Sequence, residues 1–148
     1  MKEKHIFRYL HGTFGYILRY VMSGDVKLQG YTDSHWAWSV VDQKNTFGCC
    51  FSLGSGMISW LSRKKTSVAL STLEAKYIAA SVASREAVWL RKLLAGIFDL
   101  ELEPTLIHCD NQSCVKLNEN LVFHDRSKHI DIKYYYIWDM VQRGAVEL

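Results

Sequence analysis

Proline is almost missing: Pro104 is the sole example in 148 residues. No Gly/Ser-rich or low-complexity tract accompanies it, so nothing in the chain reads as an interdomain linker or a polyproline segment. Cysteine is sparse as well. Cys49, Cys50, Cys109 and Cys114 show no CxxC spacing and no His partners arranged for zinc. That excludes a metal knuckle and a disulfide framework, and reduced thiols are the expectation. Long apolar runs are also lacking. The opening MKEKHIFRYLHGTFGYILRYVMSG is interrupted by charged and polar residues before a signal-peptide core can form. No stretch of about 20 apolar residues occurs anywhere, so the expectation is a cytoplasmic protein that spans no membrane. Lys+Arg 18 against Asp+Glu 15 leaves a formal charge of only +3. This permits contact with nucleic acid but does not mark it.

What is present is a core. At 49% hydrophobic and 13% aromatic, a chain of this length can bury enough surface for one compact domain. Lys2–Leu10 reads as a helix ending near Gly12. Gly15–Val21 and Val26–Thr32 have strand-like composition around the turn signal Ser23-Gly24-Asp25, which predicts a first hairpin. Phe47–Leu53 and Met57–Leu61 flank Gly54-Ser55-Gly56 and predict a second. Ser71 or Thr72 can cap a long helix, because Leu73, Tyr77, Ala80, Ala83, Ala87, Leu90 and Leu94 recur at intervals of three or four.

After Pro104, Thr105–Cys109 reads as a short strand ending at Asp110. A short helix over Gln112–Leu117, a basic loop, a helix near Ile130–Gln142 and a strand from Ala145 complete the series. Hairpins followed by alternating strands and helices predict an α/β fold with a mixed sheet.

Two acids stand at predicted strand ends, Asp33 in GYTDS and Asp110 in HCDNQ. If those strands are neighbours, two carboxylates meet at one sheet edge, and a cation or a proton must relieve their repulsion. Divalent metal suits hard oxygen ligands, and two ions about 4 Å apart can activate water in phosphodiester hydrolysis. Acids at such positions also serve as turn and helix caps. Spacing alone leaves both readings open.

The runs GYTDSHWAWSVVDQKNTFGCCFSLGSGMISWLSRKKTSVALSTLEAKYIAAS, EAVWLRKLL, IHCDNQSCVKL and VFHDRSKHIDIKYYY occur here in a fixed order. In that order and spacing the chain resembles the ribonuclease H domain of copia-type retrotransposon Pol polyproteins. The resemblance implies a ribonuclease H-like mixed five-stranded sheet with helices packed on it, preceded by a short helix and hairpin. It implies cleavage of the RNA strand of an RNA–DNA hybrid by four acids and two Mg²⁺ ions. FRYLHGT within Lys4–Tyr20 is similar to the segment joining such a domain to a reverse transcriptase. Residues 1–25 are thus expected to be a remnant of that connection. Residues 26–148 are expected to form the ribonuclease H-like domain, without its C-terminal end.

By motif, Asp33 and Asp110 would be catalytic metal ligands. The third acid falls on the long helix, where relatives read STEAEY and this chain reads Leu73-Glu74-Ala75-Lys76-Tyr77. One alignment puts Lys76 at the catalytic position, a charge reversal. The other retains Glu74 as the third ligand and leaves Lys76 on the surface. Residues two apart on a helix differ by about 200°, so the two alternatives face opposite ways. The set expected for an active site is Asp33, Asp110 and Glu74. The fourth acid of the family lies beyond Val146-Glu147-Leu148, in a stretch resembling ADIFTK.

Asp131 belongs to a separate motif and is expected to cap a helix or form an ion pair. His35, Trp38 and Trp138 depart from the family pattern as in a decaying element. His5, His11, His108, His124 and His129 show no ligand spacing and are expected at the surface or in hydrogen bonds. Trp36, Trp38, Trp60 and Trp89 are expected in the core or lining a groove. Arg63-Lys64-Lys65 is expected in the loop before the long helix, solvated or against phosphates. Arg8-Tyr9-Leu10-His11 resembles the translocation signal of secreted RxLR effectors except at its last position. That gives secretion into a host as the alternative to the cytoplasm.

Overall fold

In a computed structural model of the chain, residues 2–21, 26–35, 46–64, 72–99, 101–111 and 128–148 are described, the side chains of residues 2, 35 and 128–134 excepted. Alternation builds the sheet. Along β2 (Thr46–Leu53), Phe47, Cys49 and Phe51 are buried while their neighbours are half-buried, the period of two expected where one face meets the core. Along β1 (Leu28–His35), Leu28, Thr32 and Ser34 are buried and Tyr31 and Asp33 are exposed. With β3 (Gly56–Lys64), β4 (Thr105–Cys109) and β5 (Val146–Glu147), the strands form one sheet ordered β3-β2-β1-β4-β5. β1 and β2 pair antiparallel, as do β2 and β3, whereas β1–β4 and β4–β5 are parallel.

The predicted mixed five-stranded sheet is therefore observed. The second hairpin forms where expected, with Gly54 at φ 57, but β3 runs on to Lys64, so Arg63 and Lys64 end a strand and not a loop. The first hairpin is a correction. Residues 15–21 form no strand: the Tyr16 amide donates to the Thr13 carbonyl (2.9 Å), and at the far end Tyr20 Oη donates to the Met57 carbonyl (2.7 Å) and the Val21 amide to Ser55 Oγ (2.8 Å), both on the β2–β3 hairpin. Its proposed turn, residues 23–25, lies outside the described residues.

In helix α1 (Lys2–Gly12), residues 3–12 are exposed. Helix α2 (Thr72–Phe98) carries Ala83, Ala87, Leu90 and Leu94 against the sheet, beside Phe51, Ile107 and Val146. Its Tyr77 and Ala80 meet Ile137 of α3 (Lys128–Gln142). Small residues on both faces let one helix serve two neighbours at close range. Ser84 Oγ donates to the Ala80 carbonyl (2.9 Å), which satisfies a hydroxyl with no exposure at all. Asp99, at φ 53, ends α2, and Arg91 Nη2 holds the Leu102 carbonyl (2.8 Å) ahead of β4.

At the end of α3, Gly144 (φ 63) donates to the Val141 carbonyl and Ala145 to that of Met140, both at 2.9 Å. This is a Schellman closure, and it turns Val146 into register with Thr105. The Gln112–Leu117 helix lies outside the described residues.

Candidate functional site

Parallel pairing of β1 with β4 sets Thr32 opposite Cys109, so Asp33 and Asp110, each the next residue, emerge at one edge of the sheet. Both carboxylates are more than half exposed, at 53% and 61% of their side chains. The Ser34 amide donates to Asp33 Oδ1 (2.6 Å). Between the acids stands Lys76, from the second turn of α2, with its side chain only 13% exposed. Its ammonium donates a hydrogen bond to Asp110 Oδ1 and lies 3.7 Å from Asp33 Oδ1. Desolvation works against that charge, but the hydrogen bond to Asp110 and the fields of Asp110 and Asp33 outweigh it. The lysine is thereby held above its ordinary pKa.

Of the two alignments of the long helix, the geometry matches the one with Lys76 toward the acids. Glu74, two residues earlier in the first turn of α2, is half-buried. Among the described residues no group of three His, Cys, Asp or Glu side chains is placed to hold a metal ion. The expected set of Asp33, Asp110 and Glu74 is thus not assembled there: a half-turn and more of helix separates positions 74 and 76. The Mg²⁺ pair implied by the resemblance does not fit the residues as they stand, since a fixed positive charge occupies the space between the two carboxylates.

Beside this cluster, on the sheet face away from α2, a cavity of about 700 Å³ opens. Sheet register sets Trp60, Cys50, Tyr31 and His108 in one row across four strands. All four line the cavity together with Asp33 and Asp110. The rings of Tyr31 and His108 stack with centroids 4.8 Å apart. Sequence reading missed this row because it exists only in the cross-strand register, although alternation in β1 would have put Tyr31 and Asp33 on one face. Trp60, 77% exposed, lines the cavity, while Trp89, 54% exposed, stands on α2 and not in the core. His5 and His11 are exposed on α1. Asp131 falls in the first turn of α3, where side chains are outside those described; Trp36, Trp38 and His124 lie outside the described residues altogether. No described helix is long and apolar enough to cross a membrane.

No family model matches the chain. It is 41% identical over 145 residues to the retrovirus-related Pol polyprotein from transposon TNT 1-94 of Nicotiana tabacum, covering 98% of this chain and 11% of the relative. The corresponding protein from transposon RE1 of Arabidopsis thaliana is 37% identical over 145 residues, 98% of this chain and 10% of the relative. The chain thus spans about a tenth of the length of these relatives. Secreted RxLR effector protein 161 of Plasmopara viticola is 45% identical over 87 residues, 59% of this chain and 61% of that protein.

Among solved structures, the chain is similar to the N-terminal RNase H domain of a Mycobacterium tuberculosis protein, with TM-score 0.59, 10% identity and coverage of 83% and 79% of the two chains. It is also similar to LC11-RNase H1 in complex with an RNA/DNA hybrid, with TM-score 0.58, 13% identity and coverage of 82% and 83%. At such identities the likeness is one of fold.

Proposed function

This chain is a homologue of part of the retrovirus-related Pol polyproteins of copia-type transposons and has the ribonuclease H fold, and from that premise we propose that it descends from a metal-dependent nuclease acting on RNA–DNA hybrids and itself hydrolyses them weakly or not at all. In the ancestral reaction two Mg²⁺ ions held by acids would direct water to the phosphodiester of the RNA strand. One observation carries the reading of weak hydrolysis: the Lys76 ammonium against both Asp110 and Asp33. An acid there would draw cations into the site, whereas an ammonium repels them and occupies an acceptor position on Asp110.

Binding of a hybrid is a separable property, because it draws on phosphate contacts and shape and not on the metal centre alone. Arg63 and Lys64, at the end of the strand that also carries Trp60, are exposed and suited to phosphate. A reverse transcriptase would be the neighbouring domain in a polyprotein. The test is incubation of the chain with a labelled hybrid and Mg²⁺. The expected result is cleavage near background together with measurable, salt-sensitive binding. Robust turnover that disappears in Asp33→Asn would overturn the reading of weak hydrolysis.

The partial match to an RxLR effector favours a second reading, a stand-alone product exported to a host. Arg8-Tyr9-Leu10-His11 is exposed on α1, as a targeting signal must be. Recovery of the protein from culture medium would support this reading, and strict retention inside expressing cells would remove it.

A further inference from the structure

We propose that Lys76 is a built-in counter-ion: its ammonium substitutes for the divalent cation that the Asp33–Asp110 pair would otherwise require, so the site excludes Mg²⁺ and the fold closes without it. This rests on the ribonuclease H-like reading above, and it concerns how that site is occupied.

Parallel β1 and β4 end side by side, and register brings Asp33 and Asp110 to the same edge. Two carboxylates so placed repel each other, and the repulsion falls on the paired strands β1 and β4. Lys76 arrives from α2, which packs across both strands through Ala83, Ala87 and Leu90. Its ammonium reaches both acids from one point, by a hydrogen bond to Asp110 Oδ1 and at 3.7 Å from Asp33 Oδ1.

At 13% exposure, the lysine side chain is far less accessible than either acid side chain. The ammonium is therefore held in a largely covered position and is not a freely solvated surface group. A divalent ion competing for the pair must displace this group, and would then lie beside a positive charge that cannot move far from its helix. Such a like-charged neighbour disfavours a dication at the pair. His108 and Cys109, just before Asp110, and Glu74, two residues from Lys76, are nearby in sequence and able to bind metal. None of them forms a three-ligand group with the pair among the described residues.

Metal uptake, rather than activity, tests this directly. The native chain is titrated with Mn²⁺, followed by the electron spin resonance of free aquo-Mn²⁺ and by broadening of the Asp33 and Asp110 NMR signals. Melting is measured with and without Mg²⁺ at matched ionic strength. Lys76→Met and Lys76→Glu are treated in the same way.

The native chain is expected to take up no Mn²⁺ at these acids and to melt at the same temperature with Mg²⁺ as without. Both variants should bind Mn²⁺ at least about tenfold more tightly than the native chain, and their melting temperatures should rise with Mg²⁺. Native uptake that broadens Asp33 and Asp110 and is lost in Asp33→Asn overturns the proposal, even if neither variant folds. Folded variants that bind no better than the native chain overturn it as well. Native Mn²⁺ uptake without hybrid cleavage defeats this inference alone. A metal-binding Lys76→Glu chain that cleaves no hybrid would count against position 76 as the catalytic position and leave the counter-ion standing.

Discussion

The Lys76 ammonium lies 3.7 Å from the Asp33 carboxylate, tying α2 to β1 across 43 positions of sequence. The same group donates to Asp110 beyond β4, so three elements meet at one charge. The consequence for chemistry follows from sign alone. Where an acid would add to a metal-binding set, the lysine offsets one of the two carboxylate charges and makes the pair a poorer cation site. Both acids remain largely open to water, so the cluster's contribution to stability is expected to be small, about 1 kcal/mol or less.

Hydrolysis of an RNA–DNA hybrid should respond to that charge. Lys76→Glu is expected to raise the Mg²⁺-dependent cleavage rate at least about tenfold over the native chain, equivalent to about 1.4 kcal/mol of barrier. A fluorogenic hybrid assay measures it. If the rate stays at background while the variant remains folded, position 76 is not the catalytic position.

Gly30 lies under the Phe51 ring, where a Cβ would stand 2.6 Å from Cε1 and 3.3 Å from Cγ1 of Ile107. Phe51 and Ile107 are fully buried and have nowhere to retreat. Gly30→Ala should therefore destabilise the fold by about 1–3 kcal/mol, read as a lower urea midpoint. An unchanged midpoint would show that the sheet can spread at this point.

Gly144 holds φ 63 in the turn that brings Val146 beside Thr105. Gly144→Ala puts a Cβ into the left-handed region and is expected to cost about 1–2 kcal/mol. Open space surrounds that Cβ, so the loss would come from the backbone alone. Gly144→Asn, better tolerated there, should recover part of it in the same melt.

Cys49 and Cys50 are adjacent yet face opposite sides of β2. Burial, with smaller contributions from Glu86 and Cys50, pushes the Cys49 thiol from 9.0 up to about 11. Iodoacetamide at pH 8 should therefore label Cys50, on the open face, well before Cys49, as peptide mass mapping would show. Equal labelling would mean that β2 opens readily.

The same shift makes stability alkali-sensitive. A thiol whose folded pKa is raised contributes fully below the unfolded value of 9.0, and the contribution is lost as pH climbs through about 11. The raised pKa of Lys76 acts in the same direction, its share being intact below 10.5 and declining above it. The melting temperature should hold steady up to about pH 9 and fall beyond, in the ordinary range of thiol and lysine ionisation. A rise over that interval would contradict both assignments.

Periodicity alone placed the longest helix, because Leu73, Tyr77, Ala80, Ala83, Ala87, Leu90 and Leu94 leave no other way to bury one stripe. The hairpin around Gly54 was equally legible from local turn chemistry. Gly15–Val21 was not. Its strand-like composition makes no strand, Tyr20 and Val21 bond to a hairpin more than 30 residues away, and no local pattern encodes such contacts. Asp33 and Asp110 could be picked out as acids at strand ends, but their meeting depended on β1 and β4 pairing in parallel across the sheet.

The sequence by itself determined most of the elements, the family resemblance and the presence of both Glu74 and Lys76 on one helix. It left open which of the two turns toward the acids, since a helical period relates residues to one another and not to a sheet elsewhere in the chain. Packing α2 on β1 and β4 through its small buried residues fixed the rotation of that helix. With it came the sign of the charge, Lys76 rather than Glu74, that stands between Asp33 and Asp110.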